Sequence, residues 1–444
     1  MTTLSPVNER LFSPNPGLAS AHQSILGQIL ELTQEWEGID SKGMHAGYTY
    51  WGQFIAHDIG ARPGLVETRS SALDLDSVYG RGWGEPDVLI NSASGAFVLG
   101  ETTTTPDSLS SNRDLFRRLD RTAVIPEPRN EDNLIVSQFH LLIQRFHNSV
   151  ISQFSETGRL PTIKHRFNKS RAIVTHVFNH LAINDFLRKV VSSKTFEHVI
   201  IEGNHYIDMS PGTKLPVEIT NAVYRFGHSL VRDSYHLNSK ATDIELSEIF
   251  KMTSHGGFDG HQTLPSNRVI DWAFFFRLSA DPGPAGATRI DPIIAKGMRA
   301  VPTPQGPVDI AEKNLEAGVR SQLNSGQHCV RVLLKKFPDL KNKIDLAENT
   351  HLSVTPKANL DLITAKGIEN DTPLWIYLLL ESWATSLGMK LGPLGSLLTC
   401  ETIRNASKNV PPLGVSTTDL EELKLSNVDT FSELIEWIET TESF

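Results

Sequence analysis

Apolar residues that recur every three or four positions over long segments constrain this chain most. That spacing places one apolar face along an α-helix. Pro-, Gly- and Ser-rich stretches separate the segments, and no internal repeat is visible. The pattern predicts helices at roughly residues 134 to 157, 169 to 193, 216 to 235, 308 to 336 and 373 to 387.

No composition shift marks a linker between domains along the 444 residues. We therefore expect a mainly α-helical protein with few short strands. We expect a partly ordered N-terminal extension over residues 1–40 and one large domain over residues 41–444.

Charge and cysteine content narrow the classes of partner and cofactor. A formal net charge of -9 argues against a polyanionic partner, so we expect no nucleic acid. The two cysteines, Cys329 and Cys400, lie outside any CxxC or CxxCH pattern. They predict buried, reduced thiols rather than a disulfide framework, a zinc site or covalent c-type haem.

Targeting signals are also missing from the sequence. The start, "MTTLSPVNERLFSPNPG", lacks a basic stretch followed by an apolar one, and "PLWIYLLLESW" is too short to cross a bilayer. We expect a soluble, cytoplasmic protein, and nothing in the sequence indicates its oligomeric state.

Several common catalytic motifs are absent. The chain has no HExxH, GxSxG or GxxxxGK[ST] sequence and no complete GxGxxG fingerprint. The stretch "ALDLDS" alternates acidic residues but lacks the twelve-residue register and central Gly of an EF-hand. Hydrolase and nucleotide chemistries are therefore not indicated.

The stretch "YTYWGQFIAHDIG" surrounds three polar residues with apolar and aromatic ones. On a helix, Gln53 and His57 share a face because they are four residues apart, whereas Asp58 points about a quarter turn away. Two different roles are implied. A single His on an apolar helix is more often a structural residue than a functional one.

Two further stretches place polar residues beside apolar helices. In "EPRNEDNLIVSQFHLLIQRFHN", Arg129 and the acidic residues 131 and 132 precede a long apolar helix, where solvated helix capping is the alternative. In "NAVYRFGHSLVRDSY", His228 lies among aromatic residues next to Gly227.

Together these stretches resemble the peroxidase–cyclooxygenase superfamily, the animal-type haem peroxidases, and most closely its bacterial members. "AGYTYWGQFIAHDI" resembles the distal-histidine motif, "SSALDLDSVYG" the calcium loop, "PRNEDNLIVSQFHLLIQRFHN" the distal-arginine helix and "YRFGHSLVR" the proximal-histidine motif. The resemblance runs in order from about residue 45 to about residue 400.

The resemblance implies a haem b enzyme with a helical haem peroxidase fold. His228 would ligate the iron, with Asn314 as partner of its second ring nitrogen. On the distal side, His57 would move the peroxide proton and Arg129 would stabilise the leaving oxygen, while Gln53 would hold water or an anion. The oxidised haem would then take electrons singly from a small organic substrate, expected to be aromatic.

The resemblance also implies a calcium ion bound by oxygen ligands from two segments. They would be Asp58 and, from the loop, Ser70, the carbonyl of Ala72, Asp74 and Asp76. Such a set suits seven-coordinate Ca²⁺, and the ion would fix the loop to the distal helix. The alternative is a solvated acidic turn.

The chain departs from the family at the haem anchors. Ala56 replaces the Asp that forms one ester to the haem, and Asp132 replaces the longer Glu that forms the second. Ala317 replaces an Arg that pairs with a propionate, for which Arg320 or Arg225 could substitute. We therefore expect non-covalent haem with at most one ester link, and a biosynthetic oxidation rather than halide oxidation.

Two other functions stay open. Fatty-acid dioxygenases of the superfamily carry a radical Tyr three residues before the proximal His, where this chain has Arg225, with Tyr224 one residue earlier. A haem- and calcium-binding scaffold without turnover is the other, although it would not need His57 and Arg129. His140 and His147, and the aromatic residues at 272 and 274–276, are interpreted as structural.

Overall fold

The computed structural model describes residues 3–35, 44–60, 70–103, 113–157, 162–210, 214–279, 283–303, 305–352 and 357–442. Its α-helices are Pro16–Ser24 (α1), Leu26–Glu35 (α2), Gly47–Ile59 (α3), Asp76–Tyr79 (α4), Leu134–Thr157 (α5), Ile163–Leu181 (α6), Arg188–Val190 (α7), Ser193–Phe196 (α8), Val217–Asn221 (α9), Leu246–Lys251 (α10), Ile310–Arg320 (α11), Gly326–Lys336 (α12), Leu340–Lys343 (α13), Lys357–Ala365 (α14), Leu374–Ser386 (α15), Pro393–Lys408 (α16), Thr417–Glu422 (α17) and Phe431–Thr441 (α18).

Shorter elements connect these helices. Two antiparallel pairs of two-residue strands occur in the described residues, Gly100–Glu101 with Arg113–Asp114 and Ser234–Tyr235 with Ile244–Glu245. Two π-helical segments are Ala182–Leu187 and Glu197–Ile201. The 3₁₀-helices are Pro128–Glu131, Val223–Leu230, Gly257–Gly260, Ser266–Arg268, Trp272–Phe274, Lys296–Arg299 and Thr350–Leu352. The predicted mainly α-helical fold with few short strands is confirmed.

The chain clusters into two compact units, each built from three separate segments. The first unit comprises Met1–Thr49, Phe186–Asp233 and Gly286–Ala406, and the second comprises Tyr50–Asp185, Ser234–Ala285 and Ser407–Phe444. The predicted division into an extension over residues 1–40 and a domain over residues 41–444 stays a prediction. Residues 1–2 and 36–40 of that extension lie outside the described residues.

Two predicted helices are interrupted. The segment 308 to 336 forms α11 and α12, because the Ser325 hydroxyl accepts from the His328 N–H (3.3 Å) and starts a new helix. The segment 216 to 235 changes after α9, where Ala222 leaves helical geometry (φ -141°, ψ -60°), into the 3₁₀-helix Val223–Leu230. The residues after that break, "VYRFG", have low helix propensity.

Helix α5 runs through the core of the second unit. Asn133 precedes it, and its side-chain oxygen accepts from the Val136 N–H (3.0 Å), which caps the helix. Phe139 of α5 stacks on Phe431 with ring centroids 5.0 Å apart, and Trp51 lies 4.4 Å from the same ring. Within the predicted aromatic cluster, the interpretation as core is confirmed for Trp272, Phe275 and Phe276, which are buried.

Helix α15 supplies much of the core of the first unit. Its residues from Leu374 to Trp383 are all buried, including Glu381, whose carboxylate accepts from the Leu394 and Gly395 N–H groups at the start of α16. Every described helix is too short or too polar to cross a bilayer. The cytoplasmic location stays a prediction.

Close packing of α12 on α15 predicts a sharp difference between two glycines of the first unit. A Cβ at Gly326 would lie 2.0 Å from Cγ of Tyr377, whereas one at Gly318 in α11 would lie 3.9 Å from its nearest neighbour. Gly326→Ala should therefore lower the free energy of unfolding by about 1–3 kcal/mol in urea titrations. Gly318→Ala should leave it unchanged or raise it, because Ala is the better helix former. Equal effects would contradict the described packing.

Candidate functional site

Helix α3 presents its polar residues on two faces, as its sequence predicts. Gln53 and Ala56 are half-buried on a helix that is otherwise nearly all buried, so this face borders open space. His57 is 9% exposed and follows Gln53 by one helical turn. Asp58 is fully buried on the other side, where the Ser77 hydroxyl donates to its carboxylate (2.6 Å).

Arg129 braces the carboxyl end of α3. Its Nη2 donates to the backbone carbonyls of His57 (3.0 Å) and Gly60 (2.6 Å). The His57 carbonyl lies in the last turn of α3, and the Gly60 carbonyl follows directly after the helix ends at Ile59. The contact puts the Arg129 guanidinium next to His57.

Glu127 fixes the orientation of that guanidinium. This side chain is 1% exposed, and its two oxygens accept from Nε and Nη2 of Arg129, each at 2.9 Å. The Arg129 backbone N–H also donates to it (3.0 Å). A two-pronged carboxylate contact restrains both position and plane of an Arg side chain. Nη1 is the guanidinium nitrogen with no hydrogen bond among the described residues.

Gln53 is held by the residue that caps α5. The Asn133 side-chain N–H donates to Oε1 of Gln53 (3.1 Å), while its oxygen caps the helix. One asparagine therefore sets both the start of α5 and the position of the Gln53 amide.

His57 begins a buried row of four polar side chains. Its Nδ1 lies 3.0 Å from Oδ1 of Asn130, and Nδ2 of Asn130 lies 3.0 Å from Nδ1 of His140. The side-chain nitrogen Nε2 of Gln144, one turn further along α5, lies 3.4 Å from Nε2 of His140. Asn130 and His140 are fully buried, and Gln144 is 5% exposed.

Three carboxylates converge behind α3. Asp58, Asp74 and Asp76 can each bring one oxygen within 4.8 Å of the others. At that separation each pair of charges repels by roughly 3 kcal/mol at an effective dielectric constant near 20. Asp58 and Asp76 are buried, which argues against a solvated acidic turn. The arrangement suits a hard cation.

The loop that carries the acidic residues is held tightly. Ser70 donates from its N–H to Asp76 (2.9 Å) and from its hydroxyl to Asp74 (3.1 Å). Leu75 adopts a left-handed backbone (φ 58°) that lets its N–H donate to Asp58 (3.1 Å). That conformation is uncommon for a branched side chain, and such outliers occur often at ligand sites.

Two contacts hold this loop against other parts of the second unit. The Asn179 amide donates to the Leu73 carbonyl (2.6 Å), next to the Ala72 carbonyl that was predicted as a ligand. His147 lies 3.1 Å from the Tyr79 hydroxyl and 3.2 Å from the Gly95 carbonyl. His147 is therefore structural, as interpreted from the sequence.

The two acidic residues after Arg129 differ from each other. Glu131 is 4% exposed, pairs with Arg117 and accepts from the N–H and hydroxyl of Ser254, so it is not a solvated cap. Asp132 is exposed at the end of the 3₁₀-helix Pro128–Glu131. Its ester link to a haem stays a prediction.

In the first unit, the structure brings His228 and Asn314 together as predicted. Nδ1 of His228 lies 3.2 Å from Oδ1 and 3.0 Å from Nδ2 of Asn314, which is buried on α11. Trp375 of α15 donates from its indole N–H to the Arg225 carbonyl (3.1 Å) and holds the 3₁₀-helix in place.

Arg225 is a cation surrounded by neutral acceptors. It donates to Asn314 Oδ1 (2.9 Å), the Thr220 carbonyl (3.1 Å) and Asn221 Oδ1 (3.2 Å). Burial and then the charge of Arg320 lower the pKa of Arg225 to about 10. Among the described residues no carboxylate pairs with either guanidinium. An anion at this place would be stabilised.

Sequence reasoning missed Glu127, Asn130 and Asn133. All three lie in the quoted stretch around Arg129, but nothing in their spacing showed that they contact Arg129, His57 and Gln53 respectively. The capping position of Asn133 before an apolar run was the one readable signal.

The comparisons with known proteins concern the family and the fold of the chain. The model of the animal haem peroxidase family matches residues 61–262. No curated protein matches the chain significantly.

Solved structures with the same fold include a peroxidase and dioxygenases. Peroxidase A from Dictyostelium discoideum is 14% identical, with a TM-score of 0.63 over 93% of this chain and 88% of that chain. Fatty acid alpha-dioxygenase from Oryza sativa is 13% identical, with a TM-score of 0.56 over 97% and 78% of the two chains. The Arabidopsis thaliana fatty acid alpha-dioxygenase is also 13% identical, with a TM-score of 0.54 over 94% and 73%. At these identities the likeness shows the fold alone.

The contact between Glu127 and Arg129 makes a testable prediction about stability. Glu127→Ala leaves the guanidinium and the end of α3 without their buried anchor, so urea unfolding should show a loss of roughly 2–4 kcal/mol. Glu127→Gln keeps one acceptor and should lose less. Asp345→Asn is the matched control, because its partner Lys194 is half exposed, and it should cause no measurable change. Equal losses at 127 and 345 would contradict the buried anchor.

Proposed function

Since the chain belongs to the peroxidase–cyclooxygenase superfamily, we propose that it is a haem peroxidase that uses hydrogen peroxide to oxidise a small organic substrate. Members of the family generally bind haem. The observation that supports the proposal is the hydrogen bond from Arg129 to the His57 backbone carbonyl, which fixes a cation at the residue that would serve as proton acceptor. Peroxide cleavage needs both groups.

The first unit supplies groups that fit haem b. His228 would ligate the iron through Nε2, and its Nδ1–H would donate to Asn314, a neutral acceptor that gives less imidazolate character than a carboxylate. Arg225 or Arg320 would pair with a haem propionate, in place of the Arg that the family has at Ala317. The fit is supported by a half-buried guanidinium with neutral acceptors and no carboxylate partner among the described residues. Bound haem supplies the iron that accepts peroxide and then draws single electrons from the substrate.

The second unit supplies the residues that act on peroxide. His57 would take a proton from peroxide at Nε2 and return it to the departing oxygen. Arg129 would donate from Nη1 to that oxygen, while Glu127 keeps the guanidinium in place. Gln53, held by Asn133, would orient a water molecule or anion beside them. Such positioned donors are worth a few kcal/mol of barrier lowering each.

Calcium completes the proposal. Ca²⁺ would be bound by Asp58, Ser70, the Ala72 carbonyl, Asp74 and Asp76, and the three converging carboxylates support it. Because Asp58 follows His57 directly on α3, the ion would hold the imidazole in place as well as the loop. The haem is expected to be non-covalent or linked once through Asp132, because position 56 is Ala.

A fatty-acid dioxygenase is the second candidate, because two of the solved structures with this fold are dioxygenases. The local geometry favours the peroxidase. On a 3₁₀-helix, residues three apart lie on the same side, so Arg225 lies one turn before His228 on the side of the helix that carries it. Tyr224 points roughly 120° away from that side. The position that a radical tyrosine would need is therefore occupied by Arg225.

Haem binding is the first test. Purified protein supplied with haemin should show a Soret band, and His228→Ala should shift or abolish it because the iron loses its ligand. His255→Ala, an exposed histidine, is the control and should leave the spectrum unchanged. Acidified acetone should extract all of the haem, or all but a fraction linked at Asp132. A spectrum that His228→Ala leaves untouched would contradict the proximal assignment.

Activity separates the three functions. Guaiacol oxidation with hydrogen peroxide should be lost in His57→Ala, which would reject a scaffold without turnover. Oxygen uptake on adding linoleate without peroxide would instead establish the dioxygenase. A haem-loaded protein that is inactive in both assays would overturn the peroxidase and support the scaffold.

Calcium binding can be tested separately through its effect on thermal stability. Ca²⁺ at a hundred times its Kd should stabilise wild type by about 2.7 kcal/mol over protein in EGTA, seen as a raised Tm. Asp74→Asn should respond less to Ca²⁺ but be at least as stable as wild type in EGTA, because one repelling charge is gone. The exposed Asp87→Asn should behave as wild type. A wild-type Tm that ignores Ca²⁺ would refute the site.

A further inference from the structure

The row His57–Asn130–His140–Gln144 is more than the proposed function requires. A base that accepts from peroxide needs only one imidazole, yet three further polar side chains are buried in line behind it. Burying polar groups is costly unless each is paired, so a row of this length calls for a role.

The order of donors and acceptors along the row is set by Asn130. Its oxygen faces Nδ1 of His57 (3.0 Å) and can only accept, so the proton of a neutral His57 belongs on Nδ1. Nε2 of His57 then carries the lone pair. An imidazole with its proton on Nε2 could not act as the base from that nitrogen.

His140 and Gln144 fix Asn130 in turn. The Asn130 N–H donates to Nδ1 of His140 (3.0 Å), which places the His140 proton on Nε2. The Gln144 amide nitrogen lies 3.4 Å from that nitrogen, so Gln144 accepts from it only with its amide turned to present oxygen. With this proton placement the Asn130 amide has a donor on one side and an acceptor on the other.

We propose that Asn130 is a positioning residue that sets the tautomer of His57, and that His140 and Gln144 keep the Asn130 amide from turning. This inference rests on the proposed function for its purpose, since the tautomer matters to a peroxide base. It adds that the tautomer of His57 is set by residues of the same unit, on α5 and on the 3₁₀-helix before it. His140 therefore acts through Asn130 and is not only a packing residue.

The test reads the tautomer directly in the full chain before haem is added. Selective ¹⁵N-histidine labelling should show neutral His57 with its proton on Nδ1, with the signal assigned by its absence in His57→Gln. Asn130→Leu should give a mixture of tautomers or the reverse one. Asn130→Asp should retain the Nδ1–H form, because a carboxylate of the same shape still accepts from it.

A structural control separates positioning from general loss of stability. Asn238 is also fully buried in the second unit, and its amide bonds the carbonyls of Asn267 and Val269. Asn238→Leu should lower the free energy of unfolding but leave the His57 signal unchanged. Gln144→Leu should give a smaller tautomer change than Asn130→Leu, since it removes only the end of the row.

Kinetics of the haem-loaded protein give the second readout. Asn130→Leu should lower kcat/KM for peroxide at least tenfold without raising KM for the reductant, and Asn130→Asp should restore most of it. Wild-type His57 with its proton on Nε2, or the same tautomer in wild type and Asn130→Leu, would overturn the inference. The tautomer result does not depend on turnover, so its failure is distinguishable from failure of the peroxidase proposal.

Discussion

The hydrogen bonds of Arg129 at the end of α3 are the constraint on which the arrangement around His57 depends. Glu127 holds the guanidinium from one side, and the carbonyls of His57 and Gly60 accept from it on the other. A buried charge pair is weak evidence for stability by itself, but this pair fixes the direction in which the Arg129 guanidinium points. Nη2 closes the end of α3, Nε and Nη2 bind Glu127, and Nη1 is the guanidinium nitrogen without a hydrogen bond among the described residues.

Helix α3 carries two kinds of site on neighbouring residues. His57 belongs to a row of amides and imidazoles, and Asp58 belongs to a cluster of carboxylates. A helix makes this separation without any insertion, since adjacent residues differ in direction by about a quarter turn. The two sites therefore share one rigid element, and a displacement of α3 would move both. Under the proposed function, that mechanical link would couple a cation bound at Asp58 to the imidazole of His57.

The sequence predicted the features that follow from apolar periodicity and from sequence motifs. Helix α5 has the bounds given by its apolar period, and Gln53, His57 and Asp58 face as the helical spacing requires. It did not predict the interruptions after Asn221 and Arg320, where capping and weak propensity override periodicity. Glu127 and Asn130 also escaped prediction. Asn130 contacts His57, 73 positions away, and the Arg129 guanidinium that Glu127 holds contacts the His57 carbonyl, 72 positions away. Local patterns carry no record of such pairing.

The contacts that His147 makes with Tyr79 and Gly95, next to the acidic loop, depend on pH. Burial lowers the pKa of this imidazole from 6.5 to about 3, so the folded chain keeps it neutral where an unfolded chain would bind a proton. The corresponding stability is fully present above about pH 6.5 and declines as the pH falls toward 3. Proton uptake on unfolding thus works against the Tyr79 and Gly95 contacts, and an acidic medium would weaken them.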